Sequence, residues 1–191
     1  METLEAPVPR RSRRWMVVVA LIVFAGVAAV FAVRTDDGTL PPAGAHPLAV
    51  TAAHSFDPQG NNHTENEDLV PNAFDQNPAT AWRSEHYVDS DAMAGKDGVG
   101  LAMTLDGSHP LGKVDVRTPE AGWSAQVYVA PGKPPKDLAG WGKPLTSVQS
   151  AKAGVTRLTL PNVTGDQVLL WFTKVPPSGT AQVSEISIWS R

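Results

Sequence analysis

The chain contains 191 residues, of which 42% are hydrophobic, and its formal net charge is −3 at pH 7. It has no cysteine, so disulfides, thiolate zinc sites, cysteine nucleophiles and a lipid-modified N-terminal cysteine are all excluded. Its 17 prolines and 16 glycines, together with abundant Val, Thr and Ser, favour a β-rich fold with many turns.

The charge is divided unevenly along the chain. Residues 1–34 contain five arginines and two glutamates, a net charge of +3, so the rest of the chain carries −6, the difference between −3 and +3. Nucleic acid phosphates require a basic binding face. We therefore expect no nucleic acid partner for the C-terminal part.

The N-terminal region predicts a membrane anchor. Residues 15–33 form an uninterrupted apolar run with no charged side chain. At about 1.5 Å per residue, a helix of this length reaches roughly 28 Å, close to the hydrocarbon thickness of a bilayer. Residues 1–14 form a basic tail with four arginines. The positive-inside rule therefore predicts a single-pass protein of the cell membrane, with the N-terminus cytoplasmic and the C-terminal domain extracytoplasmic.

A cleaved signal peptide is the main alternative for this segment. The apolar run is long for a signal peptide, and the small-residue pattern of a cleavage site is weak, so we favour an uncleaved anchor. A buried core helix is disfavoured because the run has no polar face. Residues 34–47 are rich in Pro and Gly and are expected to form an extended linker before a domain at 48–191.

Within that domain, strand-like runs alternate with turn residues, and no helix of three turns is indicated. Seven or eight short strands predict an all-β sandwich or jelly roll. An immunoglobulin domain also fits the strand count, but its Cys-Trp-Cys framework is absent. The expected strands cover residues 48–54, 99–105, 113–118, 124–130, 155–160, 167–173 and 182–189.

The most informative segment is Asn72–Trp82. Asp75 and Asn77 are residue types that bond their own backbone two residues ahead, and Pro78 fixes its own φ. Trp82 is expected to begin the buried layer. The segment therefore predicts a rigid irregular loop that is pinned onto the core.

A family resemblance follows from this segment and its surroundings. The segments Ser55–Gly60, Glu65–Asn66, Ala73–Asp75, Asn77–Trp82 and Val183–Trp189 resemble discoidin-like domains, also called coagulation-factor type C or galactose-binding-like domains. The resemblance covers residues 48–191. It is nearest to the extracytoplasmic domain of actinobacterial kinase-like proteins linked to lipid II flippases, although this sequence contains no kinase-like region. It implies a jelly-roll β-sandwich of about eight strands with loops presented at one end.

The resemblance also implies a calcium site. In carbohydrate-binding relatives the matching loop holds Ca²⁺, and the corresponding positions here are Asp75, Asn77, Thr80 and Glu185. Ca²⁺ accepts six to eight oxygen ligands, with carbonyls beside carboxylates. The alternative is that Asp75 and Thr80 only bond the loop backbone and that Glu185 pairs with a cation. A departure from the family is Gln76, which stands where many members have glycine at a position of positive φ.

Two further segments are interpreted as structural. The oxygen-rich stretch Asp57–Asp68 lacks the spacing of an EF-hand loop, so a solvated loop is expected. The run Gly95–Gly100 contains glycines and a lysine, but not in the order of a phosphate-binding loop.

A ligand platform is predicted from exposed aromatics and hydrogen-bonding side chains, which suit polar ligands. It comprises Arg83, His86, Tyr87, Trp123 and Trp141. For Trp141 the alternative is that the ring anchors its loop to the core.

No catalytic motif is present, so we expect a protein that is not an enzyme. The favoured hypothesis is a membrane-anchored, extracytoplasmic binding module for a cell-envelope glycan or precursor. The alternative is a structural or regulatory subunit that docks a partner protein in an envelope complex. An extracytoplasmic hydrolase ranks third.

Overall fold

The computed structural model describes residues 44–191. The predicted basic tail at 1–14, the membrane segment at 15–33 and most of the linker at 34–47 lie outside the described residues. Within residues 44–191, no helix is both long enough and apolar enough to cross a membrane.

The regular secondary structure of the described domain consists mainly of β-strands, as expected. Three short 3₁₀ turns at Glu67–Ala73, Met93–Gly95 and Ala139–Trp141 interrupt the loops. The eight strands are β1 (Val50–Phe56), β2 (Trp82–Arg83), β3 (Val99–Thr118), β4 (Ser124–Ala130), β5 (Thr146–Val148), β6 (Gly154–Lys174), β7 (Gln182–Val183) and β8 (Glu185–Ser190).

The strands form a mainly antiparallel sandwich. The order in the large sheet is β1-β3-β6-β4-β5, with β8 also paired to β3, and β2 pairs with β7 in a separate two-stranded ladder. The first half of β3 lies against β1 and its second half against β8. The all-β class predicted from the alternating strand-like runs is confirmed.

Two pairs of predicted strands prove to be single long strands. We expected the strands to end at residues 105 and 160. Instead, β3 and β6 remain paired beyond these points, through His109–Gly165, Pro110–Thr164 and Leu111–Val163. Register shifts flank these pairs on β3, between Thr104 and His109 and between Leu111 and Lys113. The Gly and Pro residues therefore mark bulges that bend the ladder between the two layers, where we expected loops.

The core has two parts because the central strand of the sandwich is buried on both faces. Along β6, Val168, Leu170 and Phe172 point into the main cluster, whereas Leu169 and Trp171 point into a second one. This is the alternation that a strand requires, and it explains the continuous apolar run in the sequence. Trp141 covers the second cluster, where its ring lies edge-on to Phe56 at 6.1 Å.

The chain enters and leaves the domain at the same end. The backbone N–H of Leu48 donates to the carbonyl of Ile188 at 2.8 Å, and the N–H of His46 donates to Ser190 Oγ at 3.0 Å. The domain's contacts thus begin two residues before the expected start at Leu48. The loop that follows the opposite end of β1 starts at Asp57, and with the segment up to Gly98 it builds the candidate site.

Candidate functional site

The loops between β1 and β3 are held together by a buried ion cluster. Lys96 Nζ donates to Asp57 Oδ2 at 2.8 Å and to Glu65 Oε1 at 2.9 Å. Both carboxylates have fully buried side chains, and the lysine side chain is 13% exposed. The lysine thereby joins two loop segments that are more than 30 residues apart in sequence.

Neighbouring groups complete the bonding of Glu65. The Tyr87 hydroxyl donates to Glu65 Oε1, the N–H of Glu85 donates to Oε2 at 2.6 Å, and Trp82 Nε1 donates to the Glu65 carbonyl at 2.8 Å. Burial, followed by the hydrogen bond to Glu65, raises the pKa of Tyr87, so the phenol stays neutral. Burial alone would lower the pKa of Lys96, but its hydrogen bonds raise it above the usual value, so the ammonium stays charged.

The expectation that the Asp57–Asp68 segment is simply solvated is wrong for its two key acids, since Asp57 is 2% exposed and Glu65 is 0% exposed. Lys96, the partner of both acids, belongs to the run Gly95–Gly100, whose glycines and lysine do not follow the order of a phosphate-binding loop. Gly60 is a local sequence signal that the carboxylate of Asp57 lies close under the loop backbone. A Cβ atom built there would lie 1.8 Å from Asp57 Oδ2, so only glycine lets the loop cross over this carboxylate.

Two open grooves lie on either side of the segment Glu85–His86. Both residues line both grooves. The first groove has a volume of about 500 Å³ and is also lined by Asn66, Leu69, Arg83, Ser84, Ser178, Thr180 and Gln182. The second has a volume of about 800 Å³ and is lined additionally by Gln59–Asn62 and by residues of the segment 87–96, Lys96 among them.

The predicted ligand residues separate into two groups. Arg83 and His86 are exposed and line the first groove. Tyr87, Trp123 and Trp141 are only 4%, 1% and 3% exposed, so none of the three presents a ring face to a ligand at the surface. Trp123 instead donates from Nε1 to Thr118 Oγ1 at 2.9 Å. For Trp141, the structure supports the alternative in which the ring anchors its loop to the core.

The predicted metal loop has the rigid turn chemistry that its sequence indicates. Asp75 Oδ1 accepts the N–H of Asn77 at 2.9 Å, and Oδ2 accepts the Thr80 hydroxyl at 2.6 Å. The Asn77 side chain accepts the N–H of Ala79 at 3.2 Å. Gln76 adopts φ 60°, so the positive φ expected for glycine is retained by a residue with a side chain. Strain of this kind is tolerated where surrounding bonds over-determine the loop.

Glu185, at the start of β8, faces this loop. Its Oε2 atom is buried and has no hydrogen-bond partner among the described residues. Burial, with the nearby Asp75 carboxylate adding to it, raises the pKa of Glu185 to about 7, although the N–H of Gln76 and the charge of Arg117 act in the opposite direction. Nowhere in residues 44–191 do three His, Cys, Asp or Glu side chains gather as a metal-binding group. A cation here would therefore have two carboxylates and would need hydroxyl or carbonyl oxygens beside them.

No known family model matches this sequence, and no curated protein matches it. The fold, however, is similar to solved carbohydrate-binding modules. It matches the CBM32 of AlyQ, solved in complex with 4,5-unsaturated mannuronic acid, at 12% identity and a TM-score of 0.56, covering 75% of this chain and 97% of that one. It matches chitosan-binding module 1 of a chitosanase/glucanase from Paenibacillus sp. IK-5 at 18% identity and a TM-score of 0.54, covering 75% and 98%.

A two-domain structure shows which part of such proteins is matched. The chain is 11% identical to a truncated AlyQ with CBM32 and alginate lyase domains, with a TM-score of 0.56, and it covers 33% of that protein. The chain thus spans one third of the two-domain relative. These likenesses show that the fold is a jelly-roll β-sandwich, which confirms the fold that the family resemblance implies.

Proposed function

We propose that residues 48–191 form a non-catalytic glycan-binding module. The observation that carries this proposal is the first groove, where exposed Arg83 and His86 stand beside Leu69. A sugar presents hydroxyl groups around its rim and C–H groups on its faces, so it suits a site with hydrogen-bonding side chains next to an apolar one. The fold that this domain shares with carbohydrate-binding modules supports the same conclusion.

A binding role is favoured over catalysis by the state of the buried acids. Glycoside hydrolysis requires two carboxyl groups that reach the substrate. Asp57 and Glu65 are buried and bonded to Lys96, so they are not free to exchange protons with a bound sugar.

The setting of the module is proposed from the sequence. The apolar run at 15–33 would anchor the chain in the cell membrane, and the linker at 34–47 would present the module on the extracytoplasmic side. The resemblance to proteins linked to lipid II flippases favours an envelope glycan or precursor as the ligand. The alternative ligand is a partner protein of the envelope.

The proposal predicts that the full-length chain binds peptidoglycan fragments and that Arg83→Ala weakens this binding about tenfold. A hydrogen bond from a charged donor contributes about 1.5–3 kcal/mol, which corresponds to roughly that factor or more. Binding is measured by isothermal titration in a detergent without a sugar headgroup. Arg191→Ala, which removes an exposed arginine at the C-terminus, is the matched control and should bind as the wild type does.

Two results would contradict the proposal. One is the absence of binding to any fragment, together with specific capture of a single envelope protein. The other is unchanged affinity in Arg83→Ala.

We also propose that Ca²⁺ binds between the Asp75 loop and Glu185 and locks the loop to the last strand. The orphaned, buried Oε2 of Glu185 next to a second carboxylate fits such an ion. Asp75, Thr80 and Glu185 would hold it with side-chain oxygens, and Asn77 with its side-chain or carbonyl oxygen. Bound calcium would supply positive charge that neutralises the two facing carboxylates.

The calcium proposal predicts a pH-dependent stability. Burial raises the pKa of Glu185 in the folded state to about 7, above its ordinary value of 4.5. Without calcium, the contribution of this group to stability is therefore fully present below about pH 4.5 and is lost as the pH rises through 7. Calcium binds the ionised form, so the increase in melting temperature on adding calcium should be large at pH 8 and small at pH 5.

Thermal unfolding with calcium or EDTA measures this increase. Glu185→Gln should abolish it and should also flatten the pH dependence measured in EDTA. Equal melting temperatures of the wild type in calcium and in EDTA at pH 8 would show that no ion binds.

A further inference from the structure

The buried ion cluster contains the three groups that a spontaneous amide bond between two side chains requires. These are an amine, a carboxyl group that it can attack and a second carboxylate that can carry a proton. Lys96 Nζ lies 2.8 Å from Asp57 Oδ2 and 2.9 Å from Glu65 Oε1, and both acids have fully buried side chains. Groups that the fold holds in contact in this way react as parts of one molecule, at effective concentrations far above any reached in solution.

The two acids of the cluster differ in their hydrogen bonds. Besides Lys96, the Glu65 carboxylate accepts the Tyr87 hydroxyl and the N–H of Glu85, which stabilise it as an anion. Among the described residues, Asp57 Oδ2 accepts only from Lys96, and Asp57 Oδ1 is buried with no hydrogen-bond partner. Burying a charged carboxylate with an unpartnered oxygen is costly. Asp57 is therefore the acid that gains most from losing its charge.

A second lysine and aspartate of the domain form an ordinary ion pair and provide a comparison. Lys113 Nζ lies 3.1 Å from Asp115 Oδ2, and the two side chains are 10% and 7% exposed. Arg157 donates to both oxygens of Asp115, from Nε at 2.8 Å and from Nη2 at 3.2 Å. Asp115 thus has no unpartnered oxygen, and two cations balance its charge, so it is expected to remain a carboxylate.

We propose that Lys96 Nζ and Asp57 Cγ condense to an isopeptide bond, with Glu65 as the proton carrier. The ammonium first transfers one proton to Asp57 Oδ2, which leaves a neutral amine and a neutral carboxylic acid. The nitrogen lone pair then attacks Cγ and forms the N–C bond. Glu65 Oε1 accepts a second proton from the nitrogen and passes it to the departing hydroxyl group. The C–O bond breaks and one water leaves, so the reaction needs no oxidant, reductant or cofactor.

The surroundings favour the forward direction. The condensation converts a buried ammonium and a buried carboxylate into one neutral amide. Glu65 keeps three donors, which are the Tyr87 hydroxyl, the N–H of Glu85 and the N–H of the new amide. The Lys96 side chain is 13% exposed and lines the second groove, which gives the released water a way out. Because the charged pair is the resting state, the bond forms slowly after folding.

The bond has a consequence that is separate from glycan binding. Asp57 and Lys96 are 39 residues apart, so their amide closes a long loop. A cross-link over such a loop restricts the unfolded chain, as a disulfide does in other domains, and this chain has no cysteine. The isopeptide bond thus makes permanent the tie that the ion pair provides between the two loop segments.

The test is mass spectrometry of the full-length chain, incubated for several days and then digested with trypsin under denaturing conditions. Trypsin cuts after Lys and Arg, so an unlinked chain yields the peptides 35–83 and 84–96. Acylated Lys96 is not cut, so we expect peptide 35–83 joined to peptide 84–113. The joined mass is lower than that of the two peptides by one water, about 18 Da. Cleavage after Lys113 is the internal control, because this lysine stays an amine.

Two variants test the roles of the residues. Glu65→Gln keeps the size of the side chain but cannot carry the proton, and it should yield peptides 35–83 and 84–96 separately. Lys96→Arg keeps a positive charge but has no amine to acylate, and it should also yield no linked peptide. Lys152→Arg, at an exposed position, is the matched control and should retain the link.

The wild-type digest decides the existence of the bond, so the test does not depend on how well the variants fold. Separate peptides 35–83 and 84–96 from the wild-type chain overturn the proposal. Loss of water confined to Asp97-Gly98 or Asp106-Gly107 also overturns it, because an aspartate there can cyclise onto its own backbone. A linked peptide that persists in Glu65→Gln overturns the proton-carrying role of that residue. None of these results changes the expectation of glycan binding.

Discussion

Replacing Lys96 with methionine is expected to lower the free energy of unfolding by about 3–5 kcal/mol, the typical cost of removing one partner from a buried ion pair. The substitution preserves most of the apolar volume of the side chain, so the loss comes from charge. Asp57 and Glu65 would remain buried with no cation near them. The energy of an uncompensated buried carboxylate then exceeds anything that the methionine side chain gains by packing.

Urea unfolding of the full-length chain, followed by tryptophan fluorescence, measures this loss. Lys152→Met, at an exposed position, is the matched control and should change stability by less than about 0.5 kcal/mol. The double variant Lys96→Met with Glu65→Gln should recover part of the loss, because one of the two stranded charges is gone. A loss below about 1 kcal/mol in Lys96→Met would show that the cluster does not hold the loops.

Replacing Trp82 with alanine is expected to cost about 3–5 kcal/mol, the usual range for a buried tryptophan. The ring is 0% exposed and stacks on Phe172 with centroids 6.2 Å apart. Its Nε1 also donates to the carbonyl of Glu65, so the ring joins the main core to the loop that carries the ion cluster. Truncation would therefore leave a cavity and also release that loop.

The variant Trp82→Phe distinguishes these two roles. It keeps an aromatic ring in the core but removes the hydrogen bond, so it should cost clearly less than Trp82→Ala. Because Lys96 and Trp82 both hold Glu65, their effects should be non-additive in a double-mutant cycle. Additive effects, or an equal cost for the phenylalanine and alanine variants, would contradict this connection.

The connection matters for ligand binding because Glu85–His86, the segment that lines both grooves, has no regular secondary structure of its own. A loop that is already ordered loses less entropy when a ligand binds. The bonds from Glu65 to the N–H of Glu85 and to the Tyr87 hydroxyl fix the segment that separates the two grooves. The buried cluster therefore acts on binding by positioning the residues that contact the ligand.

The aromatic residues show how far sequence pattern alone could be used. Trp123 and Trp141 stand beside glycines in segments without strand alternation, so the pattern could not place their rings. The structure buries both, Trp141 against Phe56 and Trp123 against Phe172 at 5.4 Å. A ring's exposure depends on what distant strands pack against it, and the local sequence does not encode that.

The sequence by itself determined the all-β class, the position of most strands and the rigid turn around Asp75, because side-chain alternation and Asx–Pro turn chemistry act over a few residues. Only the tertiary structure decided that the turn signals near Pro110 and Gly165 bend continuous strands, and that Lys96 lies between Asp57 and Glu65. Charges separated by 31 and 39 residues meet only when the chain folds. The burial that makes their pairing obligatory is a property of the assembled loops.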